Sequence, residues 1–149
     1  MKRVRAVKMG STDGSTEGIA IEAVKEYIDR INRGDSTGLG RLADSNLRFI
    51  DATGAEHDLR PQGWEAYFSD FPDYRIHVEE ILSSPESIAV FGSASGSYKG
   101  QGASVPGAAW HVPAAWRAKV RDGKVVEWRV YCDVEPMLLS AGQSRSQRT

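Results

Sequence analysis

The sequence predicts an α+β fold in which N-terminal helices pack into a cone-shaped, curved sheet, mixed but mostly antiparallel, around an internal pocket. Three observations carry that prediction. Apolar residues recur at helical spacing early in the chain, at Ala20, Val24, Tyr27, Ile28 and Ile31. From Tyr74 onward the period drops to two, the repeat of a strand whose side chains alternate between faces. Asp122-Gly123, a strong two-residue hairpin signal, joins the last two strand-like segments and makes them antiparallel. Helices followed by a run of strands is the order of an α+β domain.

Taken in order, residues 15–31 form the first predicted helix, and Gly34 supplies its C-terminal stop. Asp35 or Ser36 caps a second, shorter helix through Leu42, and a strand follows at Leu47 to Asp51. A third helix begins near Pro61, a residue that loses nothing at a first helical position, and sets Trp64, Tyr67 and Phe68 at i, i+3 and i+4. Strands then cover the alternation Tyr74, Ile76, Val78 and residues 87–98, 110–121 and 124–133. On the last two, Trp110, Val112, Ala114, Trp116, Ala118 and Val120 share a face, as do Val126, Trp128, Val130 and Cys132. These are expected inside, together with Phe49 of the first strand and Phe91, Ser93 and Ser95 of the strand at 87–98. Flat Trp rings with small Ala114 and Ala118 between them either border a cavity for a hydrophobic ligand or fill the core.

The bulk composition narrows the function classes. At 149 residues, 40% apolar and 26% charged, the chain is one ordinary globular domain. Residues 1–14 read as a flexible basic tail, 15–137 as the domain and 138–149 as a disordered polar tail. A net charge of -1 provides no attraction for nucleic acid or an anionic membrane. No apolar run approaches the roughly 20 residues of a membrane span, and no secretory leader pattern is present, so a cytoplasmic location is expected. Cys132 is the one cysteine, which excludes an internal disulfide. No residues have metal-ligand spacing, and Gly92-Ser93-Ala94-Ser95-Gly96 lies within a strand rather than after one, so neither a metal nor a cofactor is expected.

Asp51 breaks the pattern of its strand. Alternation puts Leu47, Phe49 and Asp51 on one face, which aims a carboxylate into apolar surroundings. Such a group has two readings. It is a general base whose pKa burial has raised, or it is an Asx cap bonded back to the turn Ala52-Thr53-Gly54. A pKa above roughly 5 marks the base, and one at or below the ordinary value of about 3.9 marks the cap. Tyr27 is likewise either a proton donor or an amphipathic core residue.

Three strings carry a family resemblance: GDSTGLGRLADSNLRFIDATG, GWEAYFSDFPDYRIHVEEI and RDGKVVEWRVYCD. From about Gly18 to Pro136 the chain resembles the nuclear transport factor 2-like, or cystatin-like roll, superfamily, in its branch of SnoaL-like polyketide cyclases and ketosteroid isomerases. The resemblance implies cofactor-free acid–base chemistry, with proton abstraction next to a carbonyl in a polyketide- or steroid-like substrate. It implies Asp51 as base, Tyr27 as oxyanion donor and Trp116 where ketosteroid isomerases carry a second donor, an aspartic acid. Phe49, Trp64, Phe68, Phe91, Ser93, Ser95, Trp110, Trp128, Val130 and Cys132 would then contact substrate, with Asp133 as an alternative base. Epoxide hydrolases of this fold use an inward Asp-Arg-Asp set, whose places align with Ser93, Ser95 and Val130, so that activity is not expected. Scytalone-type dehydratases need pocket histidines, whereas His77 and His111 fall on outward phases and His57 in a loop. The resemblance also implies a homodimer through the outer sheet face, where Arg129 and Tyr131 lie. The competing expectation is a non-catalytic binding or dimerisation module in which Asp51 caps a turn and the Trp residues fill the core.

Overall fold

The computed structural model describes residues 5–8, 14–57, 59, 61–99 and 109–140. Strand β1 (Arg5–Lys8) precedes helices α1 (Gly14–Arg33) and α2 (Ser36–Leu42). Strands β2 (Ala43–Ile50) and β3 (Glu56–His57) form a hairpin, and α3 (Pro61–Asp70) follows. The chain continues through β4 (Arg75–Ser83), β5 (Ile88–Ser97), β6 (Ala109–Arg121) and β7 (Lys124–Cys132) to α4 (Glu135–Ser140). The seven strands make one sheet in the order β1-β4-β5-β6-β7-β2-β3. Among the described residues only β1–β4 and β2–β7 pair parallel, so the sheet is mixed and mostly antiparallel.

The helices form where the sequence places them, for the reasons it supplies. Val24, Tyr27, Ile28 and Ile31 of α1 are all buried against the sheet, so helical periodicity becomes a packed stripe. Gly34 adopts φ +65, and the Gly34 and Asp35 amides donate to the carbonyls of Ile31 and Arg30, closing the helix end. Asp35 caps α2 by accepting from the Gly38 amide at 2.9 Å. Asn32 reaches from α1 to β4, where its amide accepts from Ile76 N and donates to Ile76 O, continuing the ladder as a strand would.

Three elements depart from the sequence reading. Arg5–Lys8, expected within a flexible tail, is an edge strand in register with Glu80–Ser83. The chain after Cys132 turns into α4, which carries helix past the expected boundary at residue 137 to Ser140. His57, expected in a loop, stands on β3 opposite Phe49. Residues 141–149 lie outside the described residues. Among the described residues, no helix is long and apolar enough to cross a membrane.

The phase of β5 is also the reverse of the expected one. Ile88, Val90 and Ala94 are buried, whereas Phe91 is 42% exposed and shares the outer face with Ser93 and Ser95. Register supplies the reason. Gly96, Ala94, Gly92 and Val90 lie opposite Trp110, Val112, Ala114 and Trp116 of β6, so the inner phase of β5 is small where β6 is bulky. A Cβ on Gly96 would approach the Trp110 ring to 3.1 Å, and one on Gly92 would strike the His77 carbonyl. A second shift occurs on β7. A bulge between Lys119 and Val120 sets Val120 opposite Val125, which buries Val125 in place of the expected Val126.

Candidate active site

A cavity of about 390 Å³ opens between α3, the inner faces of β5–β7 and α4. Its mouth is made by the β2–β3 hairpin. Gly54, at φ +88, lets the chain reverse after Asp51, whose backbone exchanges hydrogen bonds with Ala55 and Gly54. On the outer side of the sheet, Arg48 bonds to Glu56 and reaches Glu127, which is itself paired with Arg117 at 3.0 Å. That network ties the hairpin to β6 and β7 and so fixes where its inner side chains stand.

Asp51 divides its two oxygens between structure and chemistry. Oδ1 accepts from Thr53 N at 2.8 Å, Thr53 Oγ1 at 2.6 Å and Ala55 N at 3.1 Å, which is an Asx cap of the turn. Oδ2 meets His57 Nε2 at 2.5 Å. Burial pushes the Asp51 carboxyl up, but the hydrogen bonds from Thr53, His57 and the Ala55 amide outweigh it and hold the pKa down to about 2, against an ordinary 3.8. The expectation of a base with raised pKa in a dry pocket is therefore corrected. Asp51 is the cap, and as a carboxylate this acidic it is a weak proton acceptor. Its value to chemistry lies in the imidazole it holds. In the tautomer that donates Nε2–H to Oδ2, the His57 Nδ1 is left as an acceptor, and the Phe49 ring lies 5.8 Å from the imidazole.

The floor is aromatic. Trp64, Tyr67, Tyr74, Trp110, Trp116 and Trp128 line it, along with Val130, Cys132 and Met137. Burial pushes the phenols of both Tyr67 and Tyr74 up, reinforced by repulsion from Cys132, so both remain neutral O–H groups. The Trp116 indole beside Tyr74 partly offsets that rise. Tyr67 donates only to the Met137 thioether, at 3.8 Å, and its ring packs edge-on to Tyr74 at 5.1 Å. The Cys132 thiol is also pushed up, by burial and by Asp133, which makes it an apolar liner rather than a nucleophile. Among the described residues no lysine or arginine lines the cavity, and no group of three His, Cys, Asp or Glu could hold a metal.

The structure thus gathers Asp51, Phe49, Trp64, Trp110, Trp116, Trp128, Val130, Cys132 and Asp133 around one cavity. Asp133, one residue past β7, comes to the rim because the chain turns there, and its carboxylate accepts from the Glu135 amide at 3.0 Å. Tyr27 is not among the lining residues. It lies behind the wall, fully buried, with its ring 5.0 Å from Trp128 and its hydroxyl accepting from Trp64 Nε1 at 3.2 Å. Phe68 stacks behind Trp64 at 5.2 Å, and Phe91, Ser93 and Ser95 are on the outer face. Sequence reasoning missed His57, Tyr67 and Tyr74 as site residues. Tyr67 and Tyr74 were legible as inward aromatics, but the edge-on packing of their rings across the α3–β4 junction was not.

With this geometry in place, the relatives can be compared. A sequence profile described as the SnoaL-like domain matches residues 24–128. No curated protein matches the chain. Among solved structures, a protein described as a SnoaL-like polyketide cyclase from Jannaschia sp. CCS1 is 20% identical, with a TM-score of 0.72, over 89% of this chain and 97% of that one. IdmH, described as a polyketide cyclase from Streptomyces antibioticus, is 22% identical with a TM-score of 0.67, over 82% and 97% of the two chains. An epoxide hydrolase-like protein of M. tuberculosis is 13% identical with a TM-score of 0.68, over 85% and 91%. At such identities the likeness establishes the fold, and function rests on the site.

Proposed function

The chain belongs to the SnoaL-like domain family, and on that footing we propose that it is a cofactor-free acid–base enzyme that removes a proton from carbon next to a carbonyl. The observation that carries this reading is the Asp51–His57 pair at the mouth of an aromatic cavity whose inner polar groups are neutral phenols. His57 Nδ1 takes the proton, and the Asp51 carboxylate holds the ring and stabilises the imidazolium that forms. The enolate oxygen accepts hydrogen bonds from Tyr74 and Tyr67. Trp116 lines the same floor, where its indole N–H can assist the Tyr74 phenol, so its contribution is indirect. Reprotonation at a different carbon completes an isomerisation, and attack of the enolate carbon on a second carbonyl completes an aldol cyclisation. Flat walls, with no lysine or arginine lining them among the described residues, favour a neutral, hydrophobic fused-ring substrate of polyketide or steroid type.

One observation favours a second reading. The depressed pKa and triple hydrogen bonding of Asp51 Oδ1 are what a purely structural cap requires, and the fold then serves as a binding module. Exchange of the α-protons of 2-tetralone in D2O, followed by proton NMR, separates the two. The enzyme reading expects protein-dependent exchange that disappears in His57→Ala. Quenching of Trp fluorescence by 2-naphthol without any exchange supports the module instead. Epoxide hydrolysis is not favoured, because Asp51 and Asp133 line the cavity with no arginine among the described residues. A homodimer through the outer sheet face belongs to the same proposal, supported by Phe91 and Tyr131 at 42% and 44% exposure there.

A further inference from the structure

We propose that Met137 of α4 is an oxidative modification site, whose conversion to methionine sulfoxide by hydrogen peroxide withdraws the Tyr67 hydroxyl from the aromatic cavity. The inference rests on the proposed role of Tyr67 as a donor to the substrate oxygen. The turn after β7 places α4: Asp133 accepts from the Glu135 amide at 3.0 Å, and the Leu138 amide donates to the Val134 carbonyl at 3.0 Å. Val134 and Met137, at i and i+3, share a face, and both line the cavity. Met137 is half-buried there. Its thioether accepts from Tyr67 Oη at 3.8 Å and is the one hydrogen-bond partner of that hydroxyl among the described residues.

Sulfur is a weak acceptor, so the resting bond orients the phenol yet yields readily to a carbonyl or enolate oxygen. A sulfoxide reverses that balance. Peroxide oxidises the thioether by two electrons: the sulfur lone pair attacks one peroxide oxygen, the O–O bond breaks, a proton passes to the departing oxygen and water leaves. The new oxygen is a strong acceptor carried by the sulfur that Tyr67 already addresses, so the O–H stays with Met137 and the ligand oxygen loses a donor. Cys132, the other sulfur lining the cavity, does not compete. Burial and Asp133 push its thiol up, and a protonated thiol reacts slowly with peroxide, whereas a thioether has no proton to lose. The bond to Met137 belongs to Tyr67 and not to Tyr74, so oxidation removes one of the two phenol donors.

The test is a binding titration of the full chain with 4-nitrophenolate before and after peroxide treatment, with peptide mass spectrometry to locate one added oxygen on Met137. Oxidation should weaken binding by about tenfold or more, the loss of one hydrogen bond to a charged oxygen. Met137→Leu keeps the side-chain volume and should bind as untreated wild type does, with or without peroxide. That variant also controls for Met1 and Met9, which lie outside the described residues. Tyr67→Phe should start about tenfold weaker and lose nothing further on oxidation, since donor and acceptor act as one pair. A further loss in Tyr67→Phe equal to that of wild type means damaged packing and overturns the proposal. So does an unchanged affinity in oxidised wild type, or a Met137 that peroxide leaves intact. Should Tyr67→Phe fail to fold, Met137→Gln decides, because its amide oxygen imitates the sulfoxide: weakened binding sustains the site, and the affinity of untreated wild type overturns it. Tetralone exchange on the same samples keeps the two readings apart. Oxidation-dependent binding without any exchange removes the enzyme reading and leaves the site standing, and exchange with oxidation-insensitive binding does the reverse.

Discussion

At the mouth of the aromatic cavity, Asp51 and His57 stand on a turn and a two-residue strand, with side chains 29% and 52% exposed. At its floor, Trp116 and Trp128 stand on long central strands and are each 2% exposed. The mouth is held by directed hydrogen bonds and by the ion pairs of Arg48 on the opposite face, so its geometry depends on a few named atoms. The floor is held by dispersion and apolar burial spread over many contacts. Under the proposed function, the two regions separate the reacting groups from what keeps the protein folded. Substitution at the mouth should alter chemistry with little loss of stability, and substitution at the floor should do the reverse.

The largest effect expected from this contrast is at the floor. Trp116→Ala removes a buried indole and should destabilise the fold by about 3 to 5 kcal/mol, measured by urea unfolding. A loss below about 1 kcal/mol would mean that the floor is loosely packed and the contrast is wrong. His57→Ala should next lower the tetralone exchange rate by about 10² to 10⁴-fold, the usual contribution of a positioned base. Its melting temperature should stay within about 2 °C of wild type, since a half-exposed side chain contributes little packing. A melting temperature that falls as far as in the Trp116 variant would erase the distinction.

Tyr74→Phe sharpens the contrast by testing a floor residue with a polar tip. It keeps the ring and should lower turnover by about 10²-fold while preserving affinity for a neutral ketone, by analogy with loss of one oxyanion donor. An unchanged rate would pass the donor role to Tyr67 alone. The smallest effect concerns pH. Asp51 has a folded pKa of about 2, below its unfolded value near 3.8, so its contribution to stability is complete above about pH 4 and fades as pH falls toward 2. Because the carboxylate is partly exposed, solvent screening trims that contribution to about 1 kcal/mol. The gap in melting temperature between wild type and Asp51→Ala should accordingly close between pH 4 and pH 2. A gap independent of pH would assign the stabilisation to something other than the ionised cap.

Why the sequence reading succeeded for some residues and failed for others follows from what each depends on. The stripe Val24, Tyr27, Ile28 and Ile31 and the alternation from Trp110 to Ala118 were legible because local geometry sets those periods. Caps and turns such as Asp35, Gly34 and Asp122-Gly123 were legible because steric and hydrogen-bonding demands at those positions are met within a few residues. Asp51 was legible as unusual, and its cap was one of the two readings the local sequence allowed. The phase of β5 was not legible, because Gly92, Ala94 and Gly96 look like surface residues until the Trp side chains of β6 are seen to need the room.

By itself, then, the sequence determined the α+β class, the three main helices, the central strands and an inner face rich in Trp, all consequences of short-range backbone geometry and apolar patterning. Tertiary structure alone decided that Tyr27 is walled off behind Trp64 and Trp128, that the rings of Tyr67 and Tyr74 pack edge-on in the cavity floor, and that Phe91 turns outward on β5. The physical reason is range. Burial and ring packing depend on what stands within a few ångströms in space. For Tyr27 those neighbours come from α3 and β7, which only the folded sheet brings together, whereas the Asp51–His57 contact closes within one hairpin.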